Sequence, residues 1–291
     1  MKKTLKKIAC AALAVCSLAV GAFSFTSCTT DRPEVEMKLS FDGKDYTLNY
    51  TLYRKYAPNT VNHFLALVEN EYYDGLCVHD YEWGTKMYTG AYTYDEDNTD
   101  ENAGLVYKKY FDTVRGYVAA GVDFPIGVWT DESKAVPTYT LYGEFAKNNV
   151  TVENGNFLTR NFGALTMYYT QKDVEENNVY VKKISGDHGY RDYAYNSATS
   201  IFSISLTEEG RSDSYCTFAT LDDDDKDELQ ALIAAVTARA AEYDAEEDSI
   251  TVTKTLEVSE DDPIVGEDGL TETYDVLKSP IVIKYIKVNK Y

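Results

Sequence analysis

The chain has 291 residues, with 28 basic and 48 acidic side chains, a formal net charge of −20 and 26 tyrosines. Phosphate binding needs clustered Lys and Arg, so this charge balance excludes nucleic acid as a partner. Hydrophobic residues make up 44% of the sequence, which lets a chain of this length bury a core in one large domain or two small ones.

The N-terminal segment 1–27 is predicted to be a lipoprotein signal peptide. Four lysines precede an apolar run from Ile8 to Phe25, the pattern of an export signal rather than of a folded segment. The run leads through Thr26 and Ser27 to Cys28, which resembles the lipobox of bacterial lipoproteins; Cys28 would then be lipidated. Two alternatives stay open: an ordinary cleaved secretory signal, and a retained membrane helix, which an apolar stretch of about 18 residues disfavours.

Removal of the signal leaves 24 basic against 48 acidic residues, a net charge of −24. An anionic membrane surface repels such a domain, so we expect attachment to the membrane through the lipid anchor only. The predicted location is the bacterial cell envelope, outside the cytoplasm. Beyond Cys28 the sequence holds only Cys77 and Cys216. One disulfide bond between them is possible, but a framework of several disulfides is excluded.

After a polar tether at 28–35, the folded domain is predicted to span 36–291 and to open with a β-hairpin. Apolar residues alternate on both sides of a turn at 42–45 that contains Asp42 and Gly43. A helix of about three turns follows, because Pro58 suits a first turn and an apolar stripe recurs at helical spacing. The stripe consists of Val61, Phe64, Leu65 and Val68. The segment LCVHDY (76–81) then reads as another strand.

Two acidic insertions are predicted, near 83–109 and 244–279. In the first, Asp95, Asp97 and Thr99 stand at alternating positions, as in a calcium loop. An EF-hand loop needs Gly at its sixth place and Glu at its twelfth, where this segment has Asp100 and Val106. We therefore interpret it as a solvated loop, and we predict no metal and no cofactor.

Short strands are predicted at RGYVAAGV, TYTLYGEF, GALTMYY, TSIFSISL and YCTFATL, at spacings typical of antiparallel all-β architecture. A second helix begins after the acids 222–225, which suit the positive end of its dipole. Its apolar stripe is Leu229, Leu232, Ile233, Val236 and Tyr243. The last strand, PIVIKYIKVNKY, changes alternation between Tyr285 and Ile286, which predicts a bulge. An antiparallel sheet rolled into a barrel with a helix at each end satisfies this order and leaves no exposed edge.

Several motifs resemble those of the cyclophilins. The segment 53–79 is similar to a cyclophilin segment that runs from Ala-Pro-x-Thr-Val-x-Asn-Phe through a helix to Tyr-Asp-Gly and Phe-His-Arg. YTLYGEF is similar to the family's Tyr-Thr-Ile-x-Gly-Glu-Phe, and GALTM is similar to its Gly-x-Leu-Ser-Met. NSATSIFSI resembles Asn-Ser-x-x-Ser-Gln-Phe-Phe-Ile, and YCTFATL the family's Tyr/His-x-x-Phe-Gly-x-Val. The ordered set implies a closed antiparallel cyclophilin-like β-barrel capped by two helices.

The resemblance implies peptidyl-prolyl isomerisation of proline-containing polypeptides, with no cofactor. In cyclophilins an Arg donates toward the prolyl nitrogen and a Gln grips the neighbouring carbonyl. Here Asp80 stands at the Arg position, and Ile201 and Ser203 replace a Gln and a Phe. The family's Gly-Phe-Met-x-Gln-Gly-Gly-Asp can be laid on GTKMYTGAY (84–92), or with better spacing on GYVAAGVD (116–123).

Under the second placement the candidate catalytic donor is Arg115. The substrate-binding candidates are Tyr117, Val118, Met167, Phe202 and Tyr215, and barrel core is the alternative interpretation for these apolar positions. His79 matches a family position, but no Ser-His-Asp or metal-ligand spacing accompanies it.

Two functions of different class follow. The first is a cyclophilin-like isomerase acting on exported proteins, expected to be a monomer, with activity weakened by the substitutions. The second is a non-catalytic surface lipoprotein that binds a peptide or an envelope partner through tyrosine-rich segments, since tyrosine gives large contact area at low entropy cost.

Overall fold

The structure is a computed structural model that describes residues 30–98, 102–150, 158–170, 178–257, 262, 264 and 271–291. Cys28 and the predicted signal peptide 1–27 lie outside these residues. The helices are Pro58–Glu69 (α1), Tyr110–Ala119 (α2) and Lys226–Ala245 (α3). The strands are Glu34–Phe41 (β1), Lys44–Leu52 (β2), Leu76–Glu82 (β3), Lys86–Tyr94 (β4), Leu105–Tyr107 (β5), Val128–Trp129 (β6), Leu165–Met167 (β7), Asn178–Lys182 (β8), His188–Asp192 (β9), Phe202–Ser205 (β10), Thr217–Leu221 (β11), Thr251–Glu257 (β12), Thr271–Leu277 (β13) and Val282–Lys290 (β14).

The main sheet is a closed ring of eight strands. Its order is β10-β7-β11-β2-β1-β14-β3-β4, and β10 pairs with β4 to close it, while β5 extends the sheet from β4. The pairings within the ring are antiparallel. The predicted closed antiparallel sheet is confirmed, and closure pairs both edges of each strand in the ring.

The first hairpin follows the predicted pattern. Strands β1 and β2 alternate buried and less buried residues along their whole length, because one face of each lies on the core. The turn consists of Asp42 and Gly43, with φ angles of 47° and 77°. Positive φ at both central residues is the requirement of a type I′ turn, which Asp-Gly meets at low cost.

Helices α1 and α3 bury their apolar stripes in the core that the ring encloses. Val61, Phe64 and Leu65 of α1 belong to this core, as do Leu229 and Val236 of α3. Helix α1 lies against β14, and α3 lies against β1 and β2. Both helices were predicted from their periodicity and are confirmed.

Helix α2 was not predicted, so the described chain has three helices rather than two. The segment from Arg115 to Val122 was expected to be a strand, but residues 110–119 form a helix. Its apolar residues Tyr110, Phe111 and Val114 are buried at spacings of one, three and four, which fit a helix face. The prediction started at Arg115 and missed this half of the stripe.

The region 83–109 was expected to be an inserted loop, and this prediction was wrong. Residues 86–94 form β4, a strand of the ring, and 105–107 form β5. The segment TYTLYGEF is also not a strand: apart from a single bridge from Leu141 to Ala198, it is irregular. Strands β6, β8 and β9 form a separate three-stranded sheet that no pattern in the sequence had indicated.

The second predicted insertion, 244–279, contains a hairpin. Strands β12 and β13 pair over seven residues, and β13 lies across β3 of the ring. The bulge predicted in the last strand is present one residue earlier than expected. Lys38 pairs with Tyr285 and Leu39 with Ile283, so Lys284 has no partner on β1.

Cys77 and Cys216 are both buried and both free. The disulfide between them that the sequence allowed is therefore not formed.

Among the helices that the structure describes, none combines the length and apolar character needed to cross a membrane.

Candidate functional site

One cleft collects the residues at which β4, β7 and β10 meet on the outer side of the ring. Ser203 of β10 pairs with Tyr88 of β4 on one side and with Thr166 of β7 on the other. These side chains line the cleft because neighbours in register point to the same face. We call it the Tyr88 cleft; its lining is Lys86, Tyr88, Arg160, Thr166, Met167, Tyr168, Ser203, Ser205, Glu209 and Tyr215.

Both cations of the Tyr88 cleft are already engaged. The Arg160 guanidinium lies 2.7 Å from the Glu209 carboxylate and 5.6 Å from the Tyr215 ring centroid. Lys86 Nζ lies 3.5 Å from Glu82 and 5.2 Å from the Tyr88 ring centroid. Each cation therefore combines an ion pair with a cation–π contact, although the buried Nε of Arg160 has no hydrogen-bond partner among the described residues.

The cleft is nearly filled by its own aromatic side chains. The Tyr88 and Tyr168 rings meet edge to face with centroids 5.7 Å apart. Burial raises the pKa of Tyr88 to about 12; burial and the Glu272 carboxylate raise the pKa of Tyr168 further above its usual value. The cavity that remains has a volume of about 10 Å³, room for a single water. A proline ring enters only if a tyrosine moves.

Asp80, at the position where the resemblance expects an Arg, lies under the β12–β13 hairpin. Its Oδ1 accepts a hydrogen bond from the backbone N–H of Asp275 at 2.9 Å, and the residue is 7% exposed. Burial raises the pKa of Asp80 to about 6, against the lowering effect of that hydrogen bond. Near neutral pH this position carries a negative charge and no donor.

His79 is fully buried beside Asp80 and does not act on the cleft. Its ring lies 5.0 Å from the centroids of both Tyr92 and Tyr274. Neither ring nitrogen has a hydrogen-bond partner in the described part of the chain, and burial lowers the pKa of His79 to about 3. The residue is a neutral core histidine between two tyrosines.

The predicted site residues separate into two groups. Tyr215 lines the Tyr88 cleft; Met167 borders it as well but is 1% exposed and belongs to the core of the ring. Phe202 pairs with Met167 across β7 and β10, but its side chain is fully buried against Phe64 and Phe218. Phe202 therefore lies in the ring's interior, as the alternative interpretation had it.

Arg115, Tyr117 and Val118 lie on α2 and do not line the Tyr88 cleft. The Arg115 guanidinium is 2.8 Å from the Asp112 carboxylate on the same helix. The Tyr117 hydroxyl donates to the backbone oxygen of Asn70, at the end of α1. These positions were chosen from the placement on GYVAAGVD, and the helix contradicts the strand that this placement needs.

Sequence reasoning missed Lys86, Tyr88, Tyr168 and Glu209 as lining residues. The signal for the first two was present in the other placement, on GTKMYTGAY, which the structure shows as β4 directly after the β3 strand. In that placement Tyr88 stands at the family's Gln and Lys86 at its Met. Arg160 lies in the loop before β7 and Glu209 in the loop after β10. No local sequence pattern indicates that these two loops bring both side chains to the cleft.

The described residues contain no group of three or more His, Cys, Asp or Glu side chains placed to hold a metal ion. Asp95 and Asp97 of the calcium-like segment are described, whereas Thr99 lies outside the described residues. The Tyr88 cleft thus offers tyrosine hydroxyls, the hydroxyls of Thr166 and Ser203, and two paired cations. These groups suit an extended peptide held by hydrogen bonds and ring contacts.

The ring of eight antiparallel strands with helices packed against it fits the cyclophilin-like fold that the sequence motifs imply. A scan against protein families matches residues 36–255 to the family described as cyclophilin type peptidyl-prolyl cis-trans isomerase/CLD. The chain therefore belongs to the cyclophilin-type peptidyl-prolyl cis-trans isomerases. No curated protein matches it.

Solved cyclophilins are similar at low identity. A cyclophilin type isomerase of Cryptosporidium parvum has 16% identity and a TM-score of 0.40, covering 89% of this chain and 99% of its own. The same protein in the presence of the dipeptide Ala-Pro has 16% identity, the same coverage and a TM-score of 0.39. The Mimivirus cyclophilin has 13% identity and a TM-score of 0.37, covering 91% of this chain and 93% of its own.

Proposed function

We propose that this protein is a weak peptidyl-prolyl cis-trans isomerase that acts on proline-containing segments of exported polypeptides at the bacterial cell envelope. Family membership supports the reaction class. The signal-like N-terminus supports export. X-Pro bonds exchange over tens of seconds or longer when uncatalysed, so chains that fold after export wait on this step.

We expect the activity to be weak because the carboxylate of Asp80, under the β12–β13 hairpin, stands where the resemblance expects an Arg. Rotation about a peptide bond has a barrier of roughly 18–20 kcal/mol because of amide resonance. A donor at the prolyl nitrogen weakens that resonance, and the resemblance assigns this task to the residue at position 80. A buried acid cannot donate when ionised, so the transition state loses its main stabilising group.

The test is NMR exchange spectroscopy on a short peptide with an Ala-Pro bond, with the purified protein from residue 29 onwards. Loss of one preorganised donor typically costs roughly 10²- to 10³-fold in rate. We expect acceleration above buffer that is smaller by this factor than that of a cyclophilin that has the Arg. Acceleration equal to that reference would contradict the weak site. If the protein neither binds the peptide nor accelerates its exchange, the proposed function is wrong.

A second candidate function is a peptide-binding module without catalysis. It is favoured by the tyrosines at the Tyr88 cleft, which offer large contact area at low entropy cost, whereas a cavity of about 10 Å³ leaves no room to seat a proline ring for catalysis. The same NMR experiment separates the two functions. Shifts of the peptide resonances on binding, with cis–trans exchange unchanged from buffer, would establish the binding module instead.

Attachment to the envelope through Cys28 has its own test. Substitution Cys28→Ala is expected to move the protein from the membrane fraction of cells to a soluble fraction, because the net charge of the mature chain opposes adsorption to anionic lipid. Cys16→Ala, a matched change inside the apolar run, is expected to leave the protein in the membrane fraction. Membrane retention of Cys28→Ala would contradict the lipid anchor.

A further inference from the structure

A second groove lies away from the Tyr88 cleft, where the start of α1 meets the loop before β6 and the end of β8. Its cavity has a volume of about 360 Å³, within the range of ligand-binding pockets. We call it the Lys182 groove; its lining is Pro58, Asn59, Pro125, Ile126, Gly127, Thr140, Leu141, Tyr142, Lys182, Lys183 and Ile184. None of these residues lines the Tyr88 cleft.

The rim of the Lys182 groove exposes aliphatic side chains. Ile126 is 37% exposed and Ile184 45% exposed, and they stand on the two loops that border the groove. The floor is closed, since Thr140, Leu141 and Tyr142 are each less than 6% exposed. An aliphatic rim around a closed floor is the arrangement of a surface that receives an apolar side chain.

Lys182 and Lys183 stand beside this rim without ion-pair partners. Among the described residues neither lysine forms an ion pair, although the chain has 48 acids. Eight other lysines are paired with carboxylates: Lys38, Lys55, Lys86, Lys226, Lys278, Lys284, Lys287 and Lys290. The acid in the adjacent turn, Asp187, accepts from Ser185 instead. Lys182 and Lys183 therefore place two adjacent positive charges beside the groove, with no ion-pair partner among the described residues.

The start of α1 does not supply the anion site, because Glu144 already occupies it. Its carboxylate accepts the backbone N–H groups of Asn59 and Thr60 at 3.0 and 2.9 Å. A ligand that brings negative charge to this groove thus meets the two lysines and not the helix dipole. The charge complementarity of the groove depends on Lys182 and Lys183 alone.

We infer that the Lys182 groove docks an extended, acidic segment of a partner polypeptide, with an aliphatic side chain between Ile126 and Ile184 and carboxylates on Lys182 and Lys183. Aliphatic walls favour a polypeptide over a carbohydrate, whose hydroxyl groups find no partners there. A concave groove on a chain of net charge −20 also fits an anionic bilayer poorly. This inference does not depend on isomerase activity.

The probes are fluorescein-labelled peptides in which glutamate alternates with isoleucine or leucine, and a matched set with lysine in place of glutamate. Fluorescence anisotropy with the protein from residue 29 onwards is expected to show binding of the acidic set only. Lys182→Glu and Lys183→Glu should each weaken it by about tenfold or more. Lys44→Glu, the same charge change at the exposed turn between β1 and β2, should weaken it less than about twofold.

Three results would overturn the inference. The first is that no acidic peptide binds at concentrations up to about 1 mM. The second is that Lys44→Glu weakens peptide binding as much as Lys182→Glu or Lys183→Glu does. The third is that the protein binds vesicles of anionic phospholipid and needs Lys182 and Lys183 to do so. Ala-Pro exchange measured on the same variants keeps the two proposals apart. Lys182→Glu is expected to leave that exchange unchanged, because Lys182 does not line the Tyr88 cleft.

Discussion

The carboxylate of Asp80 on β3 accepts a hydrogen bond from the backbone N–H of Asp275 on β13, at 2.9 Å. This contact joins the ring to the hairpin that covers it. Tyr274, one residue before, packs on His79, and Glu272 reaches Tyr168 of the Tyr88 cleft. The hairpin therefore occupies the space in front of position 80, where the resemblance expects an arginine.

Substitution Asp80→Asn is expected to stabilise the protein at pH 7. Burial raises the pKa of Asp80 from 3.8 to about 6, so its folded-state pKa exceeds its unfolded one. Protonated Asp80 therefore adds to the free energy of unfolding. This contribution is fully present below about pH 3.8 and is lost as the pH rises through 6. Asparagine keeps the acceptor for Asp275 without the buried charge, a gain of roughly 1–3 kcal/mol at pH 7.

Urea unfolding at pH 7 and pH 3.5 measures this effect. We expect the difference between Asp80→Asn and the parent protein to shrink toward zero at the lower pH. Asp97→Asn, an exposed aspartate, is the control and should change stability little at either pH. A destabilised Asp80→Asn at pH 7 would show that the carboxylate is favoured where it lies.

Substitution His79→Phe is expected to reduce the acid sensitivity of the fold. Burial lowers the pKa of His79 from 6.5 to about 3, so the stability it contributes is complete above pH 6.5 and is lost as pH falls below it. At pH 5 the penalty is roughly 2 kcal/mol. Phenylalanine keeps the ring contacts with Tyr92 and Tyr274 and buries no unpaired nitrogen.

The measurement is the free energy of unfolding of His79→Phe between pH 7.5 and pH 5, followed by tyrosine fluorescence in urea. The parent protein is expected to lose more stability across this range than the variant. His188→Phe serves as the control, because His188 lies on β9 and is partly exposed. An unchanged pH dependence in His79→Phe would mean that His79 takes up a proton as readily in the folded state as in the unfolded chain.

The sequence was sufficient for the parts of the fold that local chemistry determines. The Asp42-Gly43 turn, Pro58 with the α1 stripe, and the stripe of α3 each require only neighbouring residues, and each is confirmed. The motifs in order also predicted the closed antiparallel sheet. Such signals report periodicity and turn geometry, which do not depend on what packs above them.

The candidate site could be predicted only in part, because its lining comes from distant segments. Gly116-Tyr117-Val118 matched the spacing of a family motif, yet Tyr110, Phe111 and Val114 just before it commit the segment to a helix. Tyr88 was visible in the competing placement. No sequence pattern placed Asp275 on Asp80, since 195 residues separate them and β13 lies on β3 through tertiary packing.

Substitution Glu144→Ala is expected to destabilise the protein by roughly 2–4 kcal/mol. Ala57 offers no side-chain cap to α1, and Glu144 accepts the N–H groups of Asn59 and Thr60 and the hydroxyl of Thr60 in its place. Removal of the carboxylate leaves these buried donors unpaired. Thermal unfolding by circular dichroism measures the loss, with exposed Glu132→Ala as the control. Equal melting temperatures of the two variants would refute this capping role.

Substitution Tyr88→Gln is expected to raise the isomerisation rate about tenfold. The smaller side chain removes the ring that packs edge to face on Tyr168 and opens the cleft to a proline. Its amide also supplies the group that the cyclophilin resemblance assigns to gripping the neighbouring carbonyl. Arg115→Ala is the control, because Arg115 pairs with Asp112 on α2 and does not line the cleft. In Ala-Pro exchange by NMR, a rate lowered by Arg115→Ala and unchanged by Tyr88→Gln would move the active site from the Tyr88 cleft to α2.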